Sequence, residues 1–249
     1  MSTNHFFVAA SNIEGDRVQL NLEQAHQVHN VLRLKPGDAI VVLDDSGTEY
    51  DVVLTTVEPC QTLGRVRGER RAQGEPAVQV ILFQSLLPRE KFEWVLQKGT
   101  EVGVSQFVPV QTDRSLLRAR MIEEKRLNRW RRILTEAAEQ SHRGRVPTLE
   151  PAITFHEAIS RLKDFCRSII AAPSEEAAML RDTLRNVAGS PASIALMIGP
   201  EGGFTDEEVA RACEKGAVRI SLGPRVMRTE TAAVVTCALA LYELGEMGV

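Results

Sequence analysis

Cysteine is scarce in this 249-residue sequence, and the few cysteines are spread far apart. Cys60, Cys166, Cys213 and Cys237 form no C-x-x-C pair, so neither a zinc site nor a thiol redox motif is predicted, and we expect no bound metal. We expect all four cysteines to pack as small hydrophobic residues.

Long apolar runs are also missing. No run approaches the roughly 18 residues that a membrane-spanning helix needs. The N-terminus, Met1-Ser2-Thr3-Asn4-His5, has neither the basic region nor the apolar region of a secretory signal. We therefore expect a cytoplasmic protein that does not bind membranes.

The chain as a whole has no large excess of either charge, since its formal net charge is -3 at pH 7. This total hides a local asymmetry, because residues 114–145 contain ten Lys or Arg against four Asp or Glu. Patches of positive charge matter more than totals for binding phosphate chains, so this segment favours a nucleic-acid partner.

A polar stretch at 70–76 separates two regions of different pattern. Residues 1–73 contain short strand-like runs separated by turn formers, with one helix capped by Asn21 and a hairpin over 44–47, which predicts a small β-barrel. Residues 76–249 alternate apolar strands with helices, which predicts a mainly parallel sheet covered on both faces. The expected fold class is therefore α/β, with domains at 1–73 and 76–249.

The second region has a regular order of predicted elements. Buried strands are expected at about 78–83, 107–110, 168–172, 194–198 and 218–222. Helices are expected at about 89–102, 122–141, 174–187, 205–215 and 229–246. The last helix is almost wholly apolar, so we expect it to be buried in the core or against a second subunit.

Two glycine-rich turns follow predicted strands and lead into helices, which is where ligands bind in α/β proteins. The first is Met197-Ile198-Gly199-Pro200-Glu201-Gly202-Gly203-Phe204. Its glycines allow positive φ and a close approach of backbone to a ligand. It matches neither G-x-G-x-x-G nor G-x-x-x-x-G-K-[ST], so a dinucleotide fold or a P-loop is poorly supported. A plain strand-to-helix turn is the alternative.

The second turn is Leu222-Gly223-Pro224-Arg225-Val226-Met227-Arg228-Thr229-Glu230-Thr231-Ala232. Arg228 stands at the mouth of the apolar helix. It is either a structural partner of a carboxylate, such as Glu201 or Glu230, or a contact to ligand or substrate. We favour the second role, because a turn packed between two Gly/Pro motifs is an unusual place for a structural Arg.

These two turns resemble the ribosomal RNA small subunit methyltransferase E family, which belongs to the SPOUT class of S-adenosylmethionine-dependent methyltransferases. The similarity covers nearly the whole chain. It continues in His29-Asn30-Val31-Leu32-Arg33-Leu34-Lys35-Pro36-Gly37-Asp38, Lys98-Gly99-Thr100-Glu101-Val102-Gly103-Val104, Asp113-Arg114-Ser115 and Glu136-Ala137-Ala138-Glu139-Gln140-Ser141-His142-Arg143. One departure is His5 before Phe6, where the family often carries Arg.

The resemblance implies an N-terminal PUA-like, RNA-binding β-barrel and a C-terminal α/β SPOUT domain with a trefoil knot. It implies an enzyme that uses S-adenosylmethionine to methylate N3 of a uridine in the 16S rRNA of the small ribosomal subunit. It also implies a homodimer with cofactor sites beside the subunit interface. The alternatives are a SPOUT methyltransferase with another RNA target and an RNA-binding protein without catalysis.

The resemblance also assigns roles to residues of this sequence. Cofactor binding falls to Ile198, Gly199, Pro200, Glu201, Gly202, Gly203, Leu222, Gly223, Met227, Thr231 and Ala232. Uracil N3 carries a proton at neutral pH, so Arg228 is expected to stabilise the uridine anion, with Glu230 or Glu201 as the candidate base. RNA phosphates are expected to contact Arg33, Lys35, Arg114, Arg143 and Arg145, against the alternative of a solvated surface.

Overall fold

The structure, a computed structural model, describes residues 4–174, 177–185 and 192–248. The chain forms two compact units. The first comprises Met1–Glu75 and Thr135–Val146, and the second comprises Pro76–Leu134 and Pro147–Val249. The first unit thus includes the segment 135–146, which the sequence pattern assigns to the second region. The domain limits 1–73 and 76–249 stay a prediction.

The described residues of the first unit form a six-stranded sheet. Its elements are β1 (His5–Phe7), β2 (Ile13–Glu14), β3 (Arg17–Gln19), α1 (Leu22–His26), β4 (Ala39–Leu43), β5 (Thr48–Glu58) and β6 (Gln61–Arg71). The strand order is β1-β4-β5-β6-β3-β2, with β1 parallel to β4 and the other pairs antiparallel. The predicted hairpin over 44–47 joins β4 to β5.

One hydrophobic core of this unit lies on one face of the sheet. Ile40 and Val42 on β4 and Val52 and Leu54 on β5 are buried together, as the two-residue period of a strand requires. Val28, in the π-helix Gln27–Val31 that continues α1, packs into the same core. The helical segment therefore covers the sheet that the strands form.

Asn21 caps α1, as the sequence predicts. Its side chain accepts the backbone N–H of Gln24 at 2.9 Å, and the Gln24 side chain accepts the N–H of Asn21 at 3.1 Å. This capping box satisfies two backbone donors that the first turn would otherwise leave free. The Gln24 amide also donates to the carbonyl of Phe7 at 2.6 Å, so the helix start is tied to β1.

The segment 135–146 contributes a carboxylate, Glu139, to the first unit. The backbone N–H of Phe7 donates to Glu139 Oε1 at 2.9 Å. Burial raises the pKa of Glu139 to about 7, against the lowering effect of this hydrogen bond, and the nearby charge of Glu136 adds to the rise. The carboxyl group therefore changes its protonation state near neutral pH.

The described strands of the second unit form a wholly parallel sheet. Its strands are β7 (Gln79–Ser85), β8 (Gln106–Gln111), β9 (Thr148–Leu149), β10 (Ile153–Thr154), β11 (Arg167–Ala171), β12 (Ala178–Met179), β13 (Ser193–Ile198) and β14 (Ala217–Ser221). Their order is β10-β8-β7-β13-β11-β14-β12, and β9 also pairs with β8. The predicted parallel α/β arrangement is confirmed.

Helices cover both faces of this sheet. The helices of the second unit are α2 (Arg89–Val102), α3 (Glu124–Gln140, of which 135–140 belong to the first unit), α4 (Phe155–Ser160), α5 (Leu180–Arg185), α6 (Asp206–Glu214) and α7 (Thr229–Glu243). Ile81 and Phe83 of β7 share a core with α4 and α6. Val80 and Leu82 alternate with them and are also buried, on the face where α7 packs against α2, β7 and β13.

The predicted helix over 174–187 is confirmed at Leu180–Arg185 and wrong in the described residues before Leu180. Ala178–Met179 forms β12 instead, paired with Ile220 and Ser221 of β14, and the helix α5 covers only Leu180–Arg185. Tertiary pairing at the sheet edge overrides the local helix preference of this alanine-containing stretch. Residues 175–176 and 186–191 of the predicted helix lie outside the described residues.

The expectation that all four cysteines are buried is wrong for three of them. Cys60, Cys166 and Cys213 are exposed. Cys60 lies in the turn between β5 and β6, Cys166 precedes β11, and Cys213 lies on α6. Cys237, on α7, is buried, and burial raises the pKa of its thiol to about 12.

No helix within residues 4–174, 177–185 and 192–248 is long and apolar enough to cross a membrane. Within those same ranges, no group of three or more His, Cys, Asp or Glu is placed to hold a metal ion.

The substitution Glu139→Gln should weaken the pH dependence of folding stability. The pKa of Glu139 is about 7 in the folded protein against an ordinary value of 4.5, so the folded state binds the extra proton between these values. Wild-type stability therefore falls as pH rises through this window. The variant cannot ionise, so urea unfolding should find it more stable than wild type at pH 8, by about 2 kcal/mol after solvent screening.

At pH 5 the same variant and the wild type should have similar free energies of unfolding. The matched control is Glu123→Gln, which changes an exposed carboxylate just before α3. The difference in free energy of unfolding between this variant and wild type should be the same at pH 5 and pH 8. An equal Glu139→Gln effect at pH 5 and pH 8 would contradict the assignment.

Candidate active site

Three neighbouring strands of the second unit, β13, β11 and β14, end beside a cavity of about 330 Å³. Because the strands are parallel, their carboxyl ends share one edge of the sheet, which is the usual ligand position in such folds. The volume is within the range of small-molecule sites. The cavity is lined by Ala171, Ala172, Pro173, Ile198, Gly199, Pro200, Glu201, Gly202, Gly203, Ile220, Leu222, Gly223, Pro224, Arg225, Val226, Met227, Thr229 and Ala232.

The turn after β13 presents backbone to the cavity. The N–H of Gly203 donates to the carbonyl of Pro200 at 2.8 Å, and Gly203 has a φ of 67°, a region that favours glycine. A Cβ on Gly199 would lie 3.1 Å from a backbone nitrogen of the same turn, which leaves little room for a side chain. Thr205 and Glu208 then form a capping box at the start of α6.

The turn after β14 meets the first turn at the beginning of α7. Gly223 has a φ of 101°, and its N–H donates to Ser221 Oγ at 3.2 Å. The Thr229 hydroxyl, on the first residue of α7, donates to the carbonyl of Gly199 at 2.5 Å. This hydrogen bond links the two glycine turns directly.

Arg114, assigned to RNA by the resemblance, contacts the first glycine turn. Its Nη1 donates to the carbonyl of Gly202 at 2.7 Å and to that of Phe204 at 3.2 Å. The residue is exposed, so a phosphate contact is compatible with this position. The structure nevertheless gives Arg114 a role in holding the turn, which the sequence did not indicate.

Lys91, on α2, holds the side chain of Glu201 in the same turn. The Lys91 ammonium group donates to Glu201 Oε1. Both side chains are partly exposed, at 37% each. Glu201 is therefore already paired with a cation that sequence reasoning missed.

The structure brings ten of the eleven residues assigned to the cofactor to one cavity. The exception is Thr231, which is exposed in the first turn of α7 and lies outside the lining. Sequence reasoning missed Ala171, Ala172 and Pro173 at the end of β11. The sequence does contain a signal for these residues, because a strand is predicted at 168–172 and the carboxyl ends of parallel strands share one edge of the sheet.

Arg228 and Glu230, the proposed catalytic pair, stand beside the cavity at the start of α7. Arg228 is exposed, and its side chain makes no hydrogen bond or ion pair within the part of the chain that the structure describes. The structural pairing of Arg228 with Glu201 or Glu230 is therefore not observed. Glu230 Oε2 is buried and has no hydrogen-bond partner among the described residues, so it can accept a proton or a hydrogen bond.

Three of the cations assigned to RNA are exposed in the first unit. Arg33, with a φ of 55°, and Lys35 lie in the loop between the π-helix and β4. Arg145 donates from Nη2 to the carbonyl of Ser46 at 2.6 Å. These three side chains are available to solvent and to a phosphate chain.

Arg143 is not available in this way. It is 2% exposed, and its guanidinium makes two hydrogen bonds to the Glu75 carboxylate, from Nη2 at 2.7 Å and from Nε at 3.1 Å. A buried bidentate pair of this kind fixes two chain segments together. The expectation that Arg143 contacts RNA is therefore corrected, because its buried guanidinium pairs with the Glu75 carboxylate inside the first unit.

The cavity wall combines backbone groups and apolar side chains with the charged residues Glu201 and Arg225, while Arg228 and Glu230 lie outside the lining. Such a site can hold a ligand in a fixed position and stabilise charge that develops beside it. The open guanidinium of Arg228 suits an anion, and the unpartnered oxygen of Glu230 suits a proton. The arrangement favours a group transfer that depends on alignment rather than on a protein nucleophile.

Two family models match the chain. Residues 74–241 match the RNA methyltransferase domain, and residues 21–59 match the RNA methyltransferase PUA domain. The first match covers more than half of the chain and contains both glycine turns.

Relatives of known name match over most of their length. Ribosomal RNA small subunit methyltransferase E of Bacillus subtilis is 33% identical over 89% of this chain and 88% of its own. The protein of the same name from Synechocystis is 33% identical over 93% of this chain and 75% of its own. The crystal structure of ribosomal RNA small subunit methyltransferase E from Neisseria gonorrhoeae bound to S-adenosyl methionine is 31% identical, with a TM-score of 0.86, over 97% of this chain and 98% of that one.

Arg143 and Arg145 offer a matched pair of variants. Arg143→Ala should lower the free energy of unfolding by about 3 kcal/mol, because it leaves the Glu75 carboxylate without its partner. Arg145→Ala removes an exposed cation and should cost less than about 1 kcal/mol. Urea denaturation measures both, and equal losses would contradict the structural role of Arg143.

Proposed function

The chain belongs to the ribosomal RNA small subunit methyltransferase E family, and from this premise we propose that it methylates N3 of a uridine in 16S ribosomal RNA. It is an S-adenosylmethionine-dependent ribosomal RNA methyltransferase. The observation that carries the proposal is the cavity between the two glycine turns, with ten of the eleven assigned cofactor residues in its wall.

The residues of the cavity fit S-adenosylmethionine. When bound, this cofactor supplies an activated methyl group on a sulfonium, so the protein has no covalent step to perform. Backbone groups of the turns at 199–203 and 222–224 would bind its polar groups. Ile198, Ile220 and Met227 would pack against its apolar parts.

The proposed work of the protein is to align the uridine and manage its charge. Uracil N3 must lose a proton before it can accept a methyl group, and we assign that proton to Glu230, whose Oε2 is buried and unpartnered within the described chain. Glu201 is the weaker choice because it is already paired with Lys91. We assign Arg228 to the negative charge that develops on the base.

The finer features of the fold belong to the same proposal. We propose that the first unit is a PUA-like barrel that binds RNA, which the match of residues 21–59 supports. We propose that the second unit contains a trefoil knot that holds the cofactor. The hydrogen bond from Thr229 to Gly199 supports this, because it joins the two turns that such a knot brings together.

We further propose a homodimer with the cavity beside the subunit interface. Leu239 and Tyr242 on α7 and Val226 in the cavity wall are large, exposed hydrophobic residues. Covering apolar surface of this kind favours association. We place the protein in the cytoplasm, where ribosomal RNA would be its substrate.

For the RNA contacts we retain Arg33, Lys35, Arg145 and Arg114. The first three are exposed cations of the first unit, and Arg114 is exposed beside the cavity. We propose that these residues contact RNA phosphates, which fix the register of a nucleic acid without reading its sequence.

Transfer from methyl-labelled S-adenosylmethionine to small-subunit ribosomal RNA tests the function. Mass mapping of the product should place the label on N3 of a uridine. Arg228→Ala should lower kcat about 100-fold, because it removes the cation opposite the developing charge, while the calorimetric Kd for S-adenosylmethionine should change less than about 3-fold.

The control for this variant is Arg181→Ala, which removes an exposed Arg from α5 and should leave kcat unchanged. Label on a ribose or on another base would disprove the N3 assignment. Normal turnover by Arg228→Ala would disprove only the catalytic role of Arg228 and would leave the N3 assignment standing.

The RNA contacts predict a change in the salt dependence of binding. Arg145→Ala and Lys35→Ala should each weaken RNA binding and reduce the slope of log K against log salt by about 1, because each removes one phosphate contact. Lys163→Ala, an exposed cation of the second unit, serves as the control. A slope equal to that of wild type would argue against a phosphate contact at the mutated position.

A further inference from the structure

We propose that Lys91 is a positioning residue for the cofactor, acting through Glu201. The inference rests on the proposed function, since it concerns the same cavity. Glu201 lines the cavity, whereas Lys91 lies outside the lining and reaches the carboxylate from α2. Lys91 therefore influences the site through the side chain that it holds.

The first glycine turn depends on contacts from other elements for its shape. Its glycines give the backbone more freedom than other residues would, so the folded turn needs anchors. Thr229 and Arg114 donate to backbone carbonyls of the turn. Lys91 binds the carboxylate of Glu201 instead, and so fixes the direction of a side chain in the cavity wall.

Lys91 can act as a fixed point because α2 is firmly packed. Phe92, Val95 and Leu96 of this helix are fully buried, and α2 packs against α7. The first residue of α7, Thr229, is itself in the cavity wall. A cation on such a helix is placed more reproducibly than one on a loop.

The loss of Lys91 has two opposite physical effects on a cationic cofactor. A Glu201 side chain without its partner can turn away from its position, which weakens binding that depends on geometry. The same loss leaves one negative charge uncompensated, which strengthens the attraction to a sulfonium. Both side chains are partly exposed, so solvent screens the second effect, and we expect the first to dominate.

A double-mutant cycle tests the positioning role. Lys91→Ala should raise the calorimetric Kd for S-adenosylmethionine about 10-fold and lower kcat/KM by a similar factor, with an unchanged Tm because an exposed ion pair adds little to stability. In a Glu201→Ala background the same substitution should change Kd less than about 2-fold, since nothing is left to position. Lys91→Arg should restore most of the affinity.

The matched control is Lys98→Ala, on the same helix, where Lys98 donates to Glu101 at 2.7 Å. It removes an ion pair of the same type without touching the turn, so Kd should not change. The inference is overturned if Lys91→Ala binds the cofactor as well as wild type or more tightly. It is also overturned if the fold increases in Kd of Lys91→Ala and Glu201→Ala multiply in the double variant. Methylation at a different RNA position would overturn only the proposed target, because the cycle is read from cofactor binding.

Discussion

Both glycine turns leave one edge of a parallel sheet, and the hydrogen bond from Thr229 to Gly199 joins them there. The strand order sets what lies between them, because β11 separates the two strands that carry the turns. A cavity therefore forms over the end of β11, with one turn on each side. The positions of the two turns also set where α6 and α7 start, because each helix follows its turn along the chain.

Part of the positive charge in segment 114–145 serves internal structure. Arg143 forms an ion pair with Glu75, and Arg129 forms one with Glu93. Arg114 donates hydrogen bonds to two backbone carbonyl groups. The acids that neutralise Arg143 and Arg129 lie outside the basic segment 114–145, so a count over that segment overstates the charge that a phosphate chain can meet. The favoured partner is unchanged, but fewer residues can contact it.

Periodicity predicted the second unit well because apolar strands buried on both faces leave a strong signal. The bounds of α2 and the start of α7 agree with the pattern. The pattern failed where distant contacts decide, as at Ala178–Met179, which pairs with β14. It also could not show that Lys91 meets Glu201, since the two residues are 110 positions apart. Family resemblance identified most of the cavity wall, and strand topology explains why Ala171, Ala172 and Pro173 also belong to it.

The first unit is discontinuous along the chain, and this has a consequence for synthesis. Glu75 meets Arg143 and Phe7 meets Glu139 only after residues far downstream have been made. As the chain leaves the ribosome, the six-stranded sheet can be complete while both of these contacts are still absent. The N-terminal unit therefore reaches its final stability only when the chain through Arg143, which includes β7, β8 and the whole of α3, has emerged.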